Sequence, residues 1–355
     1  MTALTDRGPR APASPRQARA GLARTRAQRG MWLVACSLLL GLVVLASVTV
    51  GSKHIAMDTV MQAVLQPDSS NDHLIVRQFR LPRTVLGLLA GAALGVAGAL
   101  IQALTRNPLA DPGILGVNAG AGFAVTMGVA FFGVGSIGGY LWFSFGGAVA
   151  VTVAVYTLGS IGRSGATPIR LTLVGVALGA LLGGIASGVT LLRPELFDSM
   201  RSWSAGSLAG RNWAVFWAVL PFIAAGLLLA LAAARPLNTI ALGDDLARSL
   251  GARVGRARTV VIVAVTLLAG AATAAVGPVG FVGLMVPHAV RWLVGPDQRW
   301  IIPYTIVCSP ILLLAADVVG RVVLSPQELR VSVVTAFLGA PVLILLARRR
   351  KVSSL

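Results

Sequence analysis

The sequence predicts an all-α, polytopic membrane protein with about ten transmembrane helices. Hydrophobic residues make up 56% of the 355-residue chain and charged residues only 12%, whereas a soluble domain has about 25% charged residues. Several apolar runs exceed the roughly 18 residues that are needed to cross the hydrocarbon layer of a bilayer. Each run is expected to be helical, because backbone polar groups in lipid must find their partners within the same segment.

The apolar runs divide the chain into ten segments, and the first is too long for the core of a signal peptide. The segments are 31–50, 81–104, 113–133, 137–158, 170–190, 212–233, 258–276, 279–294, 300–320 and 332–347. An even number of crossings leaves both termini on one side. With the termini inside, 21 of the 30 basic residues lie on the inner side, as the positive-inside rule requires. Both termini are therefore predicted to be cytoplasmic.

Residues 1–30 form a separate Arg-rich segment with seven arginines and a single acid, Asp6. Such a composition cannot bury enough apolar surface to fold, so we predict a disordered cytoplasmic tail, with attraction to anionic lipid as a further hypothesis. Residues 349–355 form a second cytoplasmic tail, and residues 31–348 a single transmembrane domain. The net charge of +18 would suggest nucleic-acid binding in a soluble chain. Here the basic residues lie mainly in the tail and the inner loops, where they would orient the chain in the membrane.

Three segments carry small residues at every fourth position, which places them on one face of a helix. Such a face lets two helix backbones approach closely, so we expect helix packing, with sliding against moving partners as the alternative. The three series are Gly87, Gly91, Gly95 and Ala99; Gly116, Gly120, Ala124 and Gly128; and Gly175, Gly179 and Gly183.

Several common functional motifs are missing from the sequence. Neither of the two lysines, Lys53 and Lys351, ends a phosphate-binding loop, which excludes the usual kind of ATPase. The three histidines are scattered, so no metal site is predicted. Asp317 is the one acid within a predicted segment, and Arg321 lies four residues on, where a helical ion pair explains it. The chain therefore resembles a channel-forming bundle without its own energy source.

Four stretches of the sequence resemble the iron-siderophore (FecCD-type) permease family of ABC importers. They are RLPRTVLGLLAGAALGVAGALIQALTRNPLADPGILGVNAGA from Arg80, LNTIALGDDLARSLG from Leu237, AAVGPVGFVGLMVPHAVR from Ala274 and VTAFLGAP from Val334. The resemblance extends over residues 31–348. It implies the type II ABC importer permease architecture in a bacterial inner membrane, with ten helices in each subunit.

This resemblance also implies the function and the partners of the chain. We expect the permease subunit of an ATP-driven importer for a ferric siderophore, with cobalamin or haem as alternative substrates. The partners would be a second permease subunit, identical or paralogous, two cytoplasmic ATPases that bind ATP and Mg²⁺, and an external substrate-binding protein. No cofactor, metal or nucleic acid is expected on this chain. An ion-coupled carrier and a non-transporting scaffold remain as alternatives from other classes.

The inner loop 237–255 resembles the segment that couples the family's permeases to their ATPases. Asp244 and Asp245 would begin a short helix, whose N-terminus favours carboxylates, and the small or apolar residues that follow would fit an ATPase groove. A solvated surface helix is the alternative. The residues that the resemblance assigns to this contact are Gly243, Asp244, Asp245, Ala247, Leu250 and Gly251.

Three arginines, Arg80, Arg83 and Arg321, match positions at which the family presents arginines to glutamates of the binding protein. The guanidinium fork can hold a carboxylate through two hydrogen bonds; for Arg80 and Arg83, helix-end arginines that reach the interface are the alternative. The sequence departs from the family pattern before the last segment, where it reads ELRVS from Glu328 to Ser332.

By the same resemblance, segment five lines the transport path at the axis between two permease subunits. Thr167 and Pro168 would form the inner constriction, and Gly175 and Gly179 would line the path; a simple hairpin linker at 164–170 is the alternative. The remaining family residues form a structural signature, in which Asp111 caps a helix that Pro112 begins. His288 is expected to make a structural hydrogen bond rather than a ligand contact. This signature set is Asn107, Pro108, Asp111, Pro112, Pro287 and His288.

Overall fold

The computed structural model describes residues 21–23, 25–51, 53, 55–161, 167–195, 203–324 and 327–348. The regular structure of these residues is helical, and each of the ten predicted segments overlaps one helix of at least 13 residues. The α-helices are α1 (Arg26–Thr49), α2 (Met57–Leu65), α3 (Asn71–Ile75), α4 (Leu81–Thr105), α5 (Val117–Phe132), α6 (Ile137–Ser160), α7 (Pro168–Leu192), α8 (Trp213–Ile240), α9 (Asp244–Ser249), α10 (Val254–Val276), α11 (Val282–Val294), α12 (Gln298–Val323) and α13 (Val331–Arg348).

Seven of the described helices are long and apolar enough to cross a membrane. They are α1, the continuous run from α3 to α4, α6, α7, α8, α10 and α12. The helix α5, the helix α11 and the apolar part of α13 (Val331–Ile344) are shorter. The protein is thus a multi-pass, all-helical membrane protein, whereas the full count of ten crossings stays a prediction.

The segment predicted at 279–294 is only partly helical, because α11 begins at Val282 and has 13 residues. A helix of this length extends about 20 Å, less than the ~30 Å hydrocarbon layer. The residues before it are packed against protein: Val276 is buried, and a Cβ added to Gly277 would collide with the backbone at Trp203 and Gly206. Non-helical backbone at membrane depth is tolerated in such surroundings.

The first helix begins earlier than predicted. Thr25 and Gln28 form a capping box at its start, which satisfies two backbone donors and fixes the N-terminus. Residues 26–30 are therefore helical and do not belong to the predicted disordered tail, while the rest of that prediction at 1–20, and the tail at 349–355, lie outside the described residues. Ahead of the cap, the Leu22 and Ala23 amides donate to the Trp292 and Leu293 carbonyls at 3.1 and 2.9 Å.

The helix α4 lies at the centre of the bundle, and its glycines explain why. A Cβ added to Gly91 would lie 2.7 Å from Pro310 Cα on α12, and one added to Gly95 would lie 2.5 Å from Ser309 Cβ. On another face, Gly98 meets the Gly283 backbone of α11. The first small-residue series thus packs helices together, as predicted. The second series does the same between α5 and α6, where a Cβ on Gly120 would lie 2.7 Å from Val151 Cβ.

Two long helices, α1 and α7, lie at the periphery. Only 11% of the residues in the most apolar 18-residue stretch of α7 are buried. The outward residues of α7 are large and apolar, among them Leu173, Val176 and Leu181. Gly183, the last residue of the third series, has open space where a Cβ would be. Gly183 borders the gap between α7 and α5, whereas the face that carries Leu173, Val176 and Leu181 is available for lipid or for another subunit.

Loops gather at two ends of the bundle. One end carries the 106–116 loop and α9, joined by ion pairs from Arg106 and Arg258 to Asp244. The opposite end carries residues 50–80 and the end of α12, which Arg80 and Arg321 tie to the last turn of α1. We call these the α9 end and the α2 end; the α9 end is the one predicted to be cytoplasmic.

Candidate functional site

A cleft of about 520 Å³ lies between α5 and α7. No described residue that lines it is charged; its polar groups are amides and hydroxyls. The lining residues are Asn118, Ala119, Gly122, Phe123, Thr126, Gly183, Ala186, Ser187, Thr190, Leu191, Trp203, Ser204 and Pro278. Such a surface offers hydrogen bonds and apolar contact without fixing a charge.

The two walls of this cleft are supported unequally. On one side, Asn118 Oδ1 accepts from Thr273 Oγ1 of α10 at 3.0 Å, and the buried Trp203 donates from Nε1 to the Ala274 carbonyl at 3.4 Å. The other wall is the peripheral helix α7, which has few contacts behind it. The α5 wall is therefore fixed to the core, whereas α7 is free to pack against a further partner.

The predicted gate residues lie closer to the α9 end than the cleft does. Thr167 caps α7 by accepting from the Arg170 amide at 3.4 Å, and Pro168 is the first helical residue. Gly175 and Gly179 face α5, where a Cβ on Gly179 would lie 3.6 Å from Ala119 Cβ. Residues 164–166 of the predicted gate loop lie outside the described residues. The gate therefore stays a prediction.

The predicted coupling segment folds as the short helix α9 between two glycines. Gly243 has a φ of 112° and Gly251 a φ of 81°, conformations that favour glycine because it lacks a Cβ. Between them, Ala247 is completely buried against Ile240 and Val254. Its small side chain therefore lets α9 lie close to α8 and α10.

The outward face of the coupling segment is formed by three leucines. Leu242, Leu246 and Leu250 are 60%, 50% and 62% exposed, so all three present apolar surface to their surroundings. Leu242 and Leu246 were missed in the sequence analysis, because so short a helix has no periodicity that separates exposed residues from buried ones. A neighbouring cavity of about 560 Å³ reaches Leu250 and Gly251 and is lined by Arg235, Arg253 and Arg256, among other residues.

The two acids of α9 have different surroundings. Asp244 binds two arginines, Arg106 at the end of α4 and Arg258 of α10, the latter at 2.6 Å. The Asp245 side chain is fully exposed, and its ion pair with Arg248 is long, at 3.6 Å. One carboxylate therefore faces the body of the protein and the other faces outward.

At the α2 end, Asp317 lies between two arginines. Arg83 donates from Nε at 3.0 Å and from Nη2 at 2.8 Å, and Arg321 donates from Nε at 3.0 Å. The predicted helical ion pair between Asp317 and Arg321 is thus confirmed. Glu328, which sequence analysis did not connect to this site, accepts from Arg83 Nη1 at 2.8 Å.

Arg80 and Arg321 also close the end of α1. Arg80 Nη1 donates to the carbonyls of Val48 and Thr49 at 2.7 and 2.6 Å. Arg321 Nη1 donates to Ser47 and Val50 at 2.7 and 3.0 Å. The last carbonyls of a helix lack partners within it and carry partial negative charge, so cations are favoured there. Both arginines are buried, and their guanidinium groups already donate to groups within the chain. The docking role predicted for Arg80, Arg83 and Arg321 stays a prediction.

The signature loop after α4 is a capped turn. Asp111 Oδ1 accepts from the Gly113 amide at 2.8 Å, and Pro112 begins a 3-10 turn, which confirms the predicted cap. The α-helix itself begins only at Val117. Burial raises the pKa of the Asp111 carboxyl, and the Gly113 hydrogen bond opposes that shift.

The other signature residues also have structural surroundings. Asn107 Oδ1 accepts from the Leu109 amide at 3.0 Å, Pro108 is buried, and Pro287 lies within α11. The His288 ring packs edge-on against Trp292 with 4.9 Å between centroids. Its Nδ1 has no hydrogen-bond partner within the described residues, so the expected structural hydrogen bond is not seen at that atom.

Comparison with known proteins gives a consistent picture. The model of the FecCD transport family matches residues 38–349. The ferric enterobactin transport system permease protein FepD of Escherichia coli (strain K12) is 51% identical, over 88% of this chain and 93% of that protein. The iron(3+)-hydroxamate import system permease protein FhuB of Bacillus subtilis (strain 168) is 39% identical, over 90% and 83%. The hemin transport system permease protein HmuU of Yersinia pestis is 33% identical, over 87% and 94%.

A solved structure gives the same result for the fold. It is described as an inward-facing conformation of a metal-chelate type ABC transporter, and it matches this chain with a TM-score of 0.79 at 27% identity. The match covers 90% of this chain and 99% of that one.

Proposed function

Since this chain belongs to the FecCD transport family, we propose that it is the membrane-spanning permease subunit of an ATP-driven importer for a ferric siderophore. It makes and breaks no covalent bond. ATP and Mg²⁺ are bound by a separate ATPase polypeptide, and the substrate is delivered by an external substrate-binding protein.

The observation that supports this function most directly is the uncharged cleft between α5 and α7. Its walls combine apolar surface with the amide of Asn118 and the hydroxyls of Ser187 and Thr190. A bulky chelate can pass along such walls without being held by an ion pair, which suits a path that must release its cargo. With about 520 Å³, the cleft forms one side of a larger path, completed by a second permease subunit.

The second subunit packs on the exposed face of α7. That face has few contacts within the chain and presents large apolar residues such as Leu173 and Leu181. In this arrangement the clefts of two subunits open toward a common axis. The partner is either an identical chain or a paralogue, since the exposed face fits both.

The ATPases bind the α9 end, which is cytoplasmic together with both termini. The exposed Leu242, Leu246 and Leu250 supply the apolar contact, and Asp245 supplies an outward charge. Gly243 and Gly251 allow the short helix to protrude, and the buried Ala247 holds it against the bundle. The binding protein docks at the α2 end, near Arg83 and Glu328.

A ferric siderophore is preferred over haem as the substrate on the basis of similarity. The permease named for ferric enterobactin is 51% identical, whereas the one named for hemin is 33% identical. The alternative of an ion-coupled carrier has little support from the geometry, because Asp317 is held by two arginines within the bundle.

The test is uptake in a strain from which this chain has been deleted. Cells receive ⁵⁵Fe-labelled catecholate and hydroxamate chelates, labelled haem and labelled cobalamin, with and without the intact gene. Loss of uptake of one ferric siderophore, restored by the gene, supports the proposal. Unchanged siderophore uptake together with loss of haem or cobalamin uptake would show that haem or cobalamin is the substrate instead. No loss of any uptake would contradict the transport function.

A further inference from the structure

The carboxylate of Asp244 joins α9 to the next helix, α10, and to the end of α4, which is 138 positions away in sequence. Its Oδ2 accepts from Arg258 Nη2 of α10 at 2.6 Å, and its Oδ1 accepts from Arg106 Nη2 at the end of α4. The Asp244 side chain is only 26% exposed and that of Arg258 16%. Because the two arginines bind different oxygens, Asp244 bridges α9 to both elements at once.

The backbone at Arg106 is shaped for this contact. Arg106 has a φ of 51°, in the left-handed region that residues with a Cβ rarely adopt. It ends α4 there, and its side chain reaches Asp244 across the gap to α9. A left-handed residue is common where an α-helix ends, and the Arg106 amide donates to the Ala103 carbonyl there.

The contacts of Asp244 with Arg106 and with Arg258 both lead along the chain to Asn118 in the cleft wall. From Arg106 the chain runs through the capped turn at Asp111 into α5, where Asn118 lines the cleft. From Arg258, the helix α10 runs to Thr273, whose hydroxyl donates to Asn118 Oδ1 at 3.0 Å. Two connected routes therefore lead from Asp244 to Asn118 in the cleft wall.

We propose that Asp244 is a positioning residue that transmits the movement of α9, through Arg106 and Arg258, to the α5 wall of the cleft. This inference rests on the proposed function, because the movement comes from ATPases bound to α9. It differs from the contact that the family resemblance assigned to Asp244, since the carboxylate acts within the chain instead of on the ATPase. Asp245, which faces outward, has no part in the bridge.

The experiment measures ATP hydrolysis and ferric-siderophore transport in proteoliposomes that hold the complete transporter. The Asp244→Asn variant is expected to hydrolyse ATP while the amount of chelate transported per ATP falls at least tenfold. Asp244→Glu, which keeps the charge, is expected to recover at least half of the wild-type ratio. Thr157→Val in α6 removes a hydroxyl that donates to Val153 and Ala154 of the same helix, and it is expected to leave the ratio unchanged.

The bridge is tested from its other side by Arg106→Gln. This variant breaks only the contact between Asp244 and Arg106 and leaves the one with Arg258, so transport per ATP should fall, but by no more than in Asp244→Asn. Combining the two changes should cause no further loss, because Asp244→Asn already weakens both contacts. Independent, multiplying losses would overturn the proposal. A wild-type ratio of transport to ATP hydrolysis in Asp244→Asn would also overturn the proposal. So would failure of that variant to co-purify with the ATPase, because this would indicate that Asp244 contacts the ATPase directly. Absence of ATP-driven uptake by the wild-type transporter would instead refute the proposed function.

Discussion

Replacing Asp317 by asparagine tests whether this buried acid is structural. Asp317 is 1% exposed, and its side chain binds Arg83 and Arg321, whose side chains are 12% and 3% exposed. Asparagine has nearly the same volume, so the change removes the negative charge without opening a cavity. The buried Arg321 then loses its counter-charge, while Arg83 keeps only the partly exposed Glu328.

The expected cost follows from the geometry of the cluster. Removing one partner of a buried ion pair typically costs about 3–5 kcal/mol. Arg321 keeps its hydrogen bonds to the carbonyls of Ser47 and Val50, so we expect the lower end, about 3 kcal/mol. With an unfolding entropy of about 2.1 cal/mol/K per residue, a chain of 355 residues has about 0.75 kcal/mol/K, so a cost of about 3 kcal/mol lowers the melting temperature by about 4 °C.

The assay is thermal unfolding of the purified permease in detergent, with Glu328→Gln as the matched control. Glu328 is 31% exposed and binds only Arg83 among the described residues, so its loss should cost less than about 1 kcal/mol. A melting temperature of Asp317→Asn within 1 °C of wild type would refute the structural account. If the Asp317→Asn variant kept full stability but lost an uptake that depends on a proton gradient, an ion-coupled carrier would be favoured.

Three further predictions follow from the packing and the exposed surfaces. Leu250→Asp should reduce co-purification of the ATPase at least tenfold, whereas Leu250→Met should retain it; equal co-purification of both variants would argue against the leucine face. Gly98→Val should destabilise the protein by about 1–3 kcal/mol or more in thermal unfolding, because the added atoms meet the α11 backbone. Gly41→Ala in α1, where nothing lies within 4 Å of the added Cβ, should show no loss of stability in the same assay. Asp111→Ala should cost about 1 kcal/mol through loss of its cap; Asp111→Asn should recover most of this, and a stable alanine variant would contradict the capping role.

Features that depend on neighbours in sequence could be predicted from the sequence. Hydropathy indicated the helical segments, and the spacing of Asp317 and Arg321 indicated their ion pair. The cap at Asp111 followed from the same local chemistry. The early start of α1 was missed because the capping box at Thr25 lies within a stretch that composition assigned to a tail.

Features that depend on distant contacts could not be predicted. The partner of Asp244 at Arg106 is 138 positions away, and the bonds from Arg80 to the end of α1 arise only when the helices assemble. A six-residue helix is also too short for its periodicity to distinguish an inward Ala247 from an outward Leu246. The family resemblance therefore indicated the coupling segment, whereas its orientation required the structure.

The most direct test of the central claim is ATP-driven transport by purified components. Proteoliposomes would contain this chain with its partner permease and ATPases, and the loaded substrate-binding protein would be added outside. We expect ⁵⁵Fe-siderophore to accumulate inside only when ATP is present in the lumen, and not when the ATPase cannot hydrolyse it. Accumulation driven by a proton gradient without ATP, or no accumulation of any ferric siderophore, would contradict the account.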